Sequence, residues 1–354
     1  MDIAKLLKLN HSIPQQIDLP KLDCPFSQQI VFYKDVNLIA SYGLCCSNNF
    51  QTVFKEFDAD NDFYKPTHVK KQEADAYAVL EDIRNNGPGS RAVKILSNNY
   101  WHVPIVHNLS LVWGHWTDTL QKLYRLEIEY GGRHDDKQFA YIFNRREWKH
   151  PGVKHLKEWL SFFGISLERC YFRDDEPDLA DTVLHIPFAV AASPVTYTAH
   201  ASSAIMKKFR HDVLFPLCTP NPKRKIFLLR GATCKSRIVL NKNEVLVYLK
   251  SHGFEIINAD VNDFQATQSL FSGVSHILSL HHSGIKNCIF SADGTKILEI
   301  YPSKFKNKID KSIMVCCENM SADYTQVVMD SDSSSNVKID LIALDKLLKD
   351  EGFI

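Results

Sequence analysis

From residue 225 onward the apolar positions fall into short, evenly spaced runs. Residues 225–229, 254–258, 276–280 and 296–300 each have the length of one buried strand and are rich in Ile, Leu and Phe. Between the first two, Asn241 precedes Glu244 by the spacing of a capping pair, and Val245, Tyr248 and Leu249 follow at helical intervals as far as Gly253, a helix stop. Asn262 and Gln265 repeat the pair ahead of Leu270 and Phe271, and a short helical turn is expected over 284–290. Strands alternating with helices predict a parallel, doubly wound sheet with right-handed crossovers, and such sheets bind ligands beyond the carboxyl ends of their strands. After a low-complexity loop at 331–336, Leu341, Leu344 and Leu348 line one face of a last helix capped by Asp340.

The first half is less regular. Residues 92–96 read as a strand, and Val106, Leu109, Val112, Trp113, Trp116, Leu120 and Leu123 then recur at helical spacing. Leu156, Trp159, Leu160 and Phe163 write a second helix that ends at Gly164. The Asp-, Pro- and Ala-rich stretch 174–194 reads as the end of a first domain and the start of a crossover. The expected organisation is a first domain over 1–195, a second over 196–330, and a loop and helix over 331–354 packing back on the body.

The chain has 354 residues, enough for about two domains that each bury a core. No apolar stretch reaches the roughly 18 residues that a membrane-spanning helix needs, and residues 1–16 lack the apolar run and cleavage site of a signal peptide. The nine cysteines include the adjacent pairs Cys45-Cys46 and Cys316-Cys317 and no CxxC, which fits reduced thiols in the cytoplasm and neither a disulfide framework nor a zinc site. Lys and Arg number 42 against 41 Asp and Glu, so no global field recruits nucleic acid or an anionic membrane. An anionic ligand would need a local site.

Such a site is written after the predicted strands. Residues 230–237 hold Arg230, Lys235 and Arg237, and guanidinium forks with a mobile ammonium suit phosphate oxygens; a solvated basic loop is the bland alternative. After the third strand, His281, His282, Ser283 and Gly284 form a strand-to-helix turn, where backbone N–H groups can meet an anion, although each histidine could equally pack or cap. After the fourth, Glu299 could accept the hydroxyls of a ribose or stand as an ordinary strand-end charge. Neither GxGxxG nor GxxxxGK[ST] occurs, which removes most support for dehydrogenase and P-loop readings. Residues 58–62, Asp-Ala-Asp-Asn-Asp, open like an EF-hand loop, but Phe63 and Val69 occupy the positions of its glycine and closing glutamate, and a solvated acidic loop fits better.

Taken in order, Arg230, Ala232, Arg237-Ile238, Asn241, Glu244-Val245, Gly253-Phe254-Glu255, Gln268, Leu270-Phe271, His281, Gly284-Ile285, Asn287, Phe290, Gly294, Glu299 and Pro302 resemble the family 61 glycosyltransferases. A second match is Asn99-Tyr100-Trp101-His102, similar to that family's aromatic-histidine segment; Val103 replaces its tryptophan, and His282 replaces a glycine of its His-Gly-Ala-Gly turn. The resemblance implies a GT-B fold, two Rossmann-like domains facing across a cleft, with acceptor on the first and nucleotide sugar on the second. It implies inverting, metal-independent transfer of a hexosyl or pentosyl group, without cofactor, from a nucleotide sugar, most simply a UDP-sugar, to a glycan or glycolipid. Arg230, Lys235, Arg237, Gln268, His281, His282, Ser283, Gly284, Asn287 and Glu299 would hold the donor. His102, with His107 second, would be the base; its alternative role is to close a strand–helix junction. A bacterial member making capsule, lipopolysaccharide or lipooligosaccharide in the cytoplasm, meeting the inner face of the membrane through its acceptor, follows from the same resemblance. The other class left open is a non-catalytic relative that binds a nucleotide sugar or glycan.

Overall fold

The computed structural model describes residues 17–18, 30–39, 44–52, 67–86, 91–105, 117–143, 153–172, 182–192, 208–214, 223–230, 235–258, 263–308 and 312–354. It divides into two compact units, Met1–Ser110 with Asp118–Ala201, and Leu111–Thr117 with Ser202–Ile354. The EF-hand-like run 58–62 and His107 lie outside the described residues, as do positions 106–116 of the first predicted helix.

In the first unit one mixed sheet joins β1 (Ile17–Asp18), β2 (Ile30–Ile39), β3 (Leu44–Ser47), β4 (Ala92–Ile95), β5 (Tyr100–Ile105), β6 (Arg133–His134), β7 (Lys137–Phe143), β8 (Cys170–Phe172) and β9 (Thr182–Ala192). Helices α1 (Thr67–Asn86), α2 (Thr117–Leu123) and α3 (Val153–Phe162) belong to it, and Gly164 ends the last with φ +67°. The sheet runs β1-β2-β9-β5-β7-β6, with β2 antiparallel to β1, β3 and β9, and β5 parallel to β7. The expectation of two doubly wound halves is corrected here, because a purely parallel winding has no place for three antiparallel pairings on one strand. The stretch expected as a crossover is corrected too. Residues 182–192 are a central strand, buried at Val183, Leu184, Ile186, Ala189, Val190 and Ala191, and apolar on both faces because both are covered. Its Pro187 has no N–H to give. The register passes from Lys34↔Phe188 to Val36↔Ile186, which sets Pro187 opposite Asp35, a residue that leaves strand geometry at φ +55°.

The second unit follows the predicted rhythm closely. Strands β10 (Arg224–Leu229), β11 (Phe254–Asn258), β12 (Val274–Leu280), β13 (Lys296–Pro302) and β14 (Asp323–Met329) are parallel throughout and ordered β11-β10-β12-β13-β14. Helices α4 (Lys242–Ser251), α5 (Phe264–Phe271) and α6 (Ser312–Asn319) and a 3-10 helix (Ser283–Phe290) make the connections. The core gathers Phe227, Leu278, Leu298 and Ile300 from the sheet with Val245 and Leu249 of α4 and Leu344 and Leu348 of α7 (Leu341–Asp350). Burying side chains of this size contributes about 1.5–3 kcal/mol each.

Two caps differ from the sequence reading. Asn241 does not cap α4. Its side-chain amide donates to the Ile339 carbonyl at 2.8 Å and accepts from the Ile339 N–H at 2.9 Å, so it staples the segment before α7 to the start of α4. At α5 the cap is Asp263, which accepts from the Ala266 N–H at 3.0 Å; Asn262 lies outside the described residues. Asp340 caps α7 as expected, accepting from the N–H groups of Ile342 and Ala343, and Gly253 ends α4 at φ +80°.

Candidate active site

The strand order reverses between β10 and β12, which makes the crevice beyond their carboxyl ends the switch point of the sheet. Arg230 is the first residue after β10, and His281 the first after β12. Arg230 is half-buried and donates from Nη1 to the Ser236 carbonyl at 2.8 Å. Lys235 is exposed. Arg237 holds a left-handed backbone, φ +56°, while its N–H reaches the Ser334 carbonyl at 3.4 Å. Residues 231–234 lie outside the described residues.

The two histidines of the facing turn have separate tasks. His282 caps the 3-10 helix, its Nδ1 accepting from the Gly284 N–H at 3.0 Å. Burial above all pushes its imidazole down to about 3; the Leu228 carbonyl opposes this, and the nearby charges of Arg230, His281 and Arg237 reinforce it. His282 is therefore neutral, and the basic loop and the turn share one electrostatic environment. This corrects the expected N–H cradle in part, since the Gly284 N–H is bound to His282 and the Ile285 N–H to the His282 carbonyl. Ser283 is half-buried at the mouth of the turn, and Asn287 is buried in the helix behind it.

His281 faces Glu299, with Nδ1 2.6 Å from Oε1. Glu299 is 0% exposed, and its Oε2 accepts from Gln326 Nε2 at 2.8 Å and from the Tyr324 hydroxyl. The reading of Glu299 as a ribose acceptor is corrected by this burial, because both oxygens are engaged inside the protein. Tyr324 and Gln326 escaped the sequence reading together with their strand β14. The one signal that could have found them is that two hydrogen-bonding side chains stand at alternate positions beside Thr325, Val327 and Val328.

The Glycosyltransferase 61 family model matches residues 113–298, just over half of the chain, and spans both the basic loop and the histidine turn. The chain belongs to glycosyltransferase family 61. Among solved structures, one match is the E. coli heptosyltransferase WaaC with ADP, at 10% identity and a TM-score of 0.36, covering 71% of this chain and 99% of that one. Among curated proteins, none matches.

The remaining site residues of this glycosyltransferase are Gln268 and His102. Gln268 lies half-buried on α5, one turn beyond Phe264, whose ring meets that of Phe290 edge-on at 5.3 Å. His102 belongs to the first unit, in β5, paired with Ala140 of β7 and Ala189 of β9. Its Nε2 lies 2.8 Å from the Ser97 carbonyl, which fixes the proton there and leaves Nδ1 as the acceptor, without a partner among the described residues. Burial lowers its affinity for a proton, and the Ser97 carbonyl partly restores it. No helix among the described residues is long and apolar enough to cross a membrane.

Proposed function

We propose that this glycosyltransferase is an inverting, metal-independent enzyme that moves a hexosyl or pentosyl group from a nucleotide sugar, most simply a UDP-sugar, to a glycan or glycolipid acceptor. The observation that carries the reading is the meeting of Arg230, Arg237 and the His281–Gly284 turn at the switch point of the parallel sheet. Inverting transfer is one displacement. The acceptor oxygen bonds to the anomeric carbon and yields its proton to a base, while the bond to the diphosphate oxygen breaks and leaves its electron pair there. Without a metal, that charge must be met by fixed donors and cations, the part assigned to Arg230, Lys235, Arg237, Ser283 and His281. His102 is assigned as base, because its ring, with the proton held on Nε2 by the Ser97 carbonyl, has in Nδ1 an acceptor without a partner among the described residues.

In this reading the fold is a variant of GT-B whose first half carries a mixed sheet, with the acceptor on residues 1–195 and the donor on 196–330. Synthesis of capsule, lipopolysaccharide or lipooligosaccharide by a bacterial enzyme in the cytoplasm is the setting it suits, and a lipid-linked acceptor would bring the enzyme to the inner face of the membrane. The capping of Gly284 by His282 favours a second reading, a non-catalytic relative that binds a nucleotide sugar or glycan. Incubation with UDP-, GDP- and CMP-sugars separates them. Nucleotide release from one donor supports the enzyme and names the sugar, whereas binding without release supports the second reading.

A further inference from the structure

A carboxylate with no solvent exposure must have its charge met by donors inside the protein. Glu299 meets this with three, and two come from one strand. Gln326 is its register partner on β14, and Tyr324, two residues earlier on the same face, reaches the same oxygen. Gln326 Nε2 also lies 3.1 Å from the Tyr324 hydroxyl, which ties the pair together. Burial and the Glu299 charge push the Tyr324 phenol far above its ordinary range, so it keeps its proton and stays a donor.

The third donor is His281, held by two contacts of its ring and one of its backbone. Nδ1 is on Glu299, the backbone N–H donates to the Ile300 carbonyl at 2.9 Å, and the Tyr301 ring meets the imidazole edge-on at 4.6 Å. With Nδ1 committed, Nε2 is the ring nitrogen left for a ligand. We infer that Tyr324 and Gln326 are positioning residues of the donor site: by holding Glu299 they fix His281 so that its Nε2–H faces the departing diphosphate. As the anomeric C–O bond breaks, its electron pair stays on the diphosphate oxygen, and the imidazolium form of His281, with Nδ1–H on Glu299, donates a hydrogen bond to it from Nε2–H. A buried carboxylate that orients a histidine and balances its charge does this elsewhere in proteins.

The inference rests on the donor reading. The titratable groups around His281 are Glu299 and Tyr301 of β13, Tyr324 of β14, the adjacent His282, Cys317 of α6, whose buried thiol is held protonated, and Arg230, which acts on His282. Only Glu299 carries a charge opposite to the imidazolium.

The test follows nucleotide release from the UDP-, GDP- and CMP-sugar panel between about pH 5 and pH 9, across the histidine range, in wild type, Tyr324→Phe, Gln326→Met, Glu299→Gln and the double variant Tyr324→Phe/Glu299→Gln. Tyr324→Phe should lower kcat about tenfold and Glu299→Gln about a hundredfold, with the donor KM nearly unchanged. The alkaline limb should move up in Tyr324→Phe, where the Glu299 charge falls more fully on His281, and down in Glu299→Gln. The double variant should be no slower than Glu299→Gln. Costs that simply add, or a limb that stays in place in both single variants, overturn the inference alone; if Tyr324→Phe does not fold, Gln326→Met takes its place, with the same upward shift expected. Wild-type protein that releases nucleotide from no donor and binds neither UDP, GDP nor CMP by calorimetry overturns the donor reading and this inference with it.

Discussion

His281 Nδ1 and Glu299 Oε1 lie 2.6 Å apart although 18 residues separate them in sequence. The contact exists because β12 and β13 are parallel neighbours, paired through Leu280↔Ile300, so the residue just after one strand stands beside the last turn of pleat in the other. Parallel pairing thus converts two separated polar residues into one oriented unit, and that unit stands at the end of the sheet where the strand order reverses.

Replacing Arg237 by Ala should weaken nucleoside diphosphate binding about ten- to a hundredfold, the worth of one charge-assisted contact, as read by calorimetry. Unchanged affinity would remove Arg237 from the diphosphate clamp.

His102→Ala should cut turnover by about two to four orders of magnitude, the usual contribution of a general base, while donor affinity stays within about threefold. Turnover that survives within a few-fold would return His102 to a purely structural role in β5.

The depressed imidazole of His282 has a consequence for stability. In the unfolded chain it takes up a proton near its ordinary value of 6.5, whereas in the fold it does so only near 3. Between those values the unfolded state binds the extra proton, so stability is lost as pH falls, by up to about 1.4 kcal/mol per pH unit for this group. His102 is shifted in the same direction. His282→Asn retains an acceptor for the Gly284 N–H but does not titrate, so urea denaturation at pH 7 and at pH 5 should show a smaller difference than in wild type. Equal differences would contradict this account.

Arg210 is 1% exposed and donates to the carbonyls of Ile289, Ser291 and Met320 as well as to Asp293. Arg210→Met would strand those carbonyls in the interior at a cost of about 3–5 kcal/mol. Calorimetry should find the melting temperature lowered by about 10 °C; a shift of a degree or two would show that the carbonyls find other partners.

The second unit was legible because its strands are buried and its helices are punctuated. Residues 254–258 coincide with β11, and the other three predicted strands differ from the structure only at their ends. β14 was not legible, since its half-buried residues, Tyr324 through Val327, lack an apolar run. The first unit hid for the opposite reason. Its central strand β9 lies in an Asp-, Pro- and Ala-rich stretch, 174–194, whose composition imitates a linker, and the pairing with β2 shows it to be a strand. At the site, the strand ends pointed to Arg230 and His281, but not to which side chains bond to one another. Glu299 looked available because nothing in its own neighbourhood announces Tyr324 and Gln326, which reach it through the register of another strand.

The fastening of the basic loop sets an order of events during synthesis. Ile238 N–H is held by the Asn336 side chain, and Asn241 by the Ile339 backbone, each across 98 residues. The Leu240 N–H likewise donates to the Val337 carbonyl. While residues only up to Gln326 have left the ribosome, the donors that hold Glu299 and His281 are all present, yet the partners of Ile238, Leu240 and Asn241 are still to be made. The fastening of the basic loop is therefore complete only once the chain has been extended past Ile339.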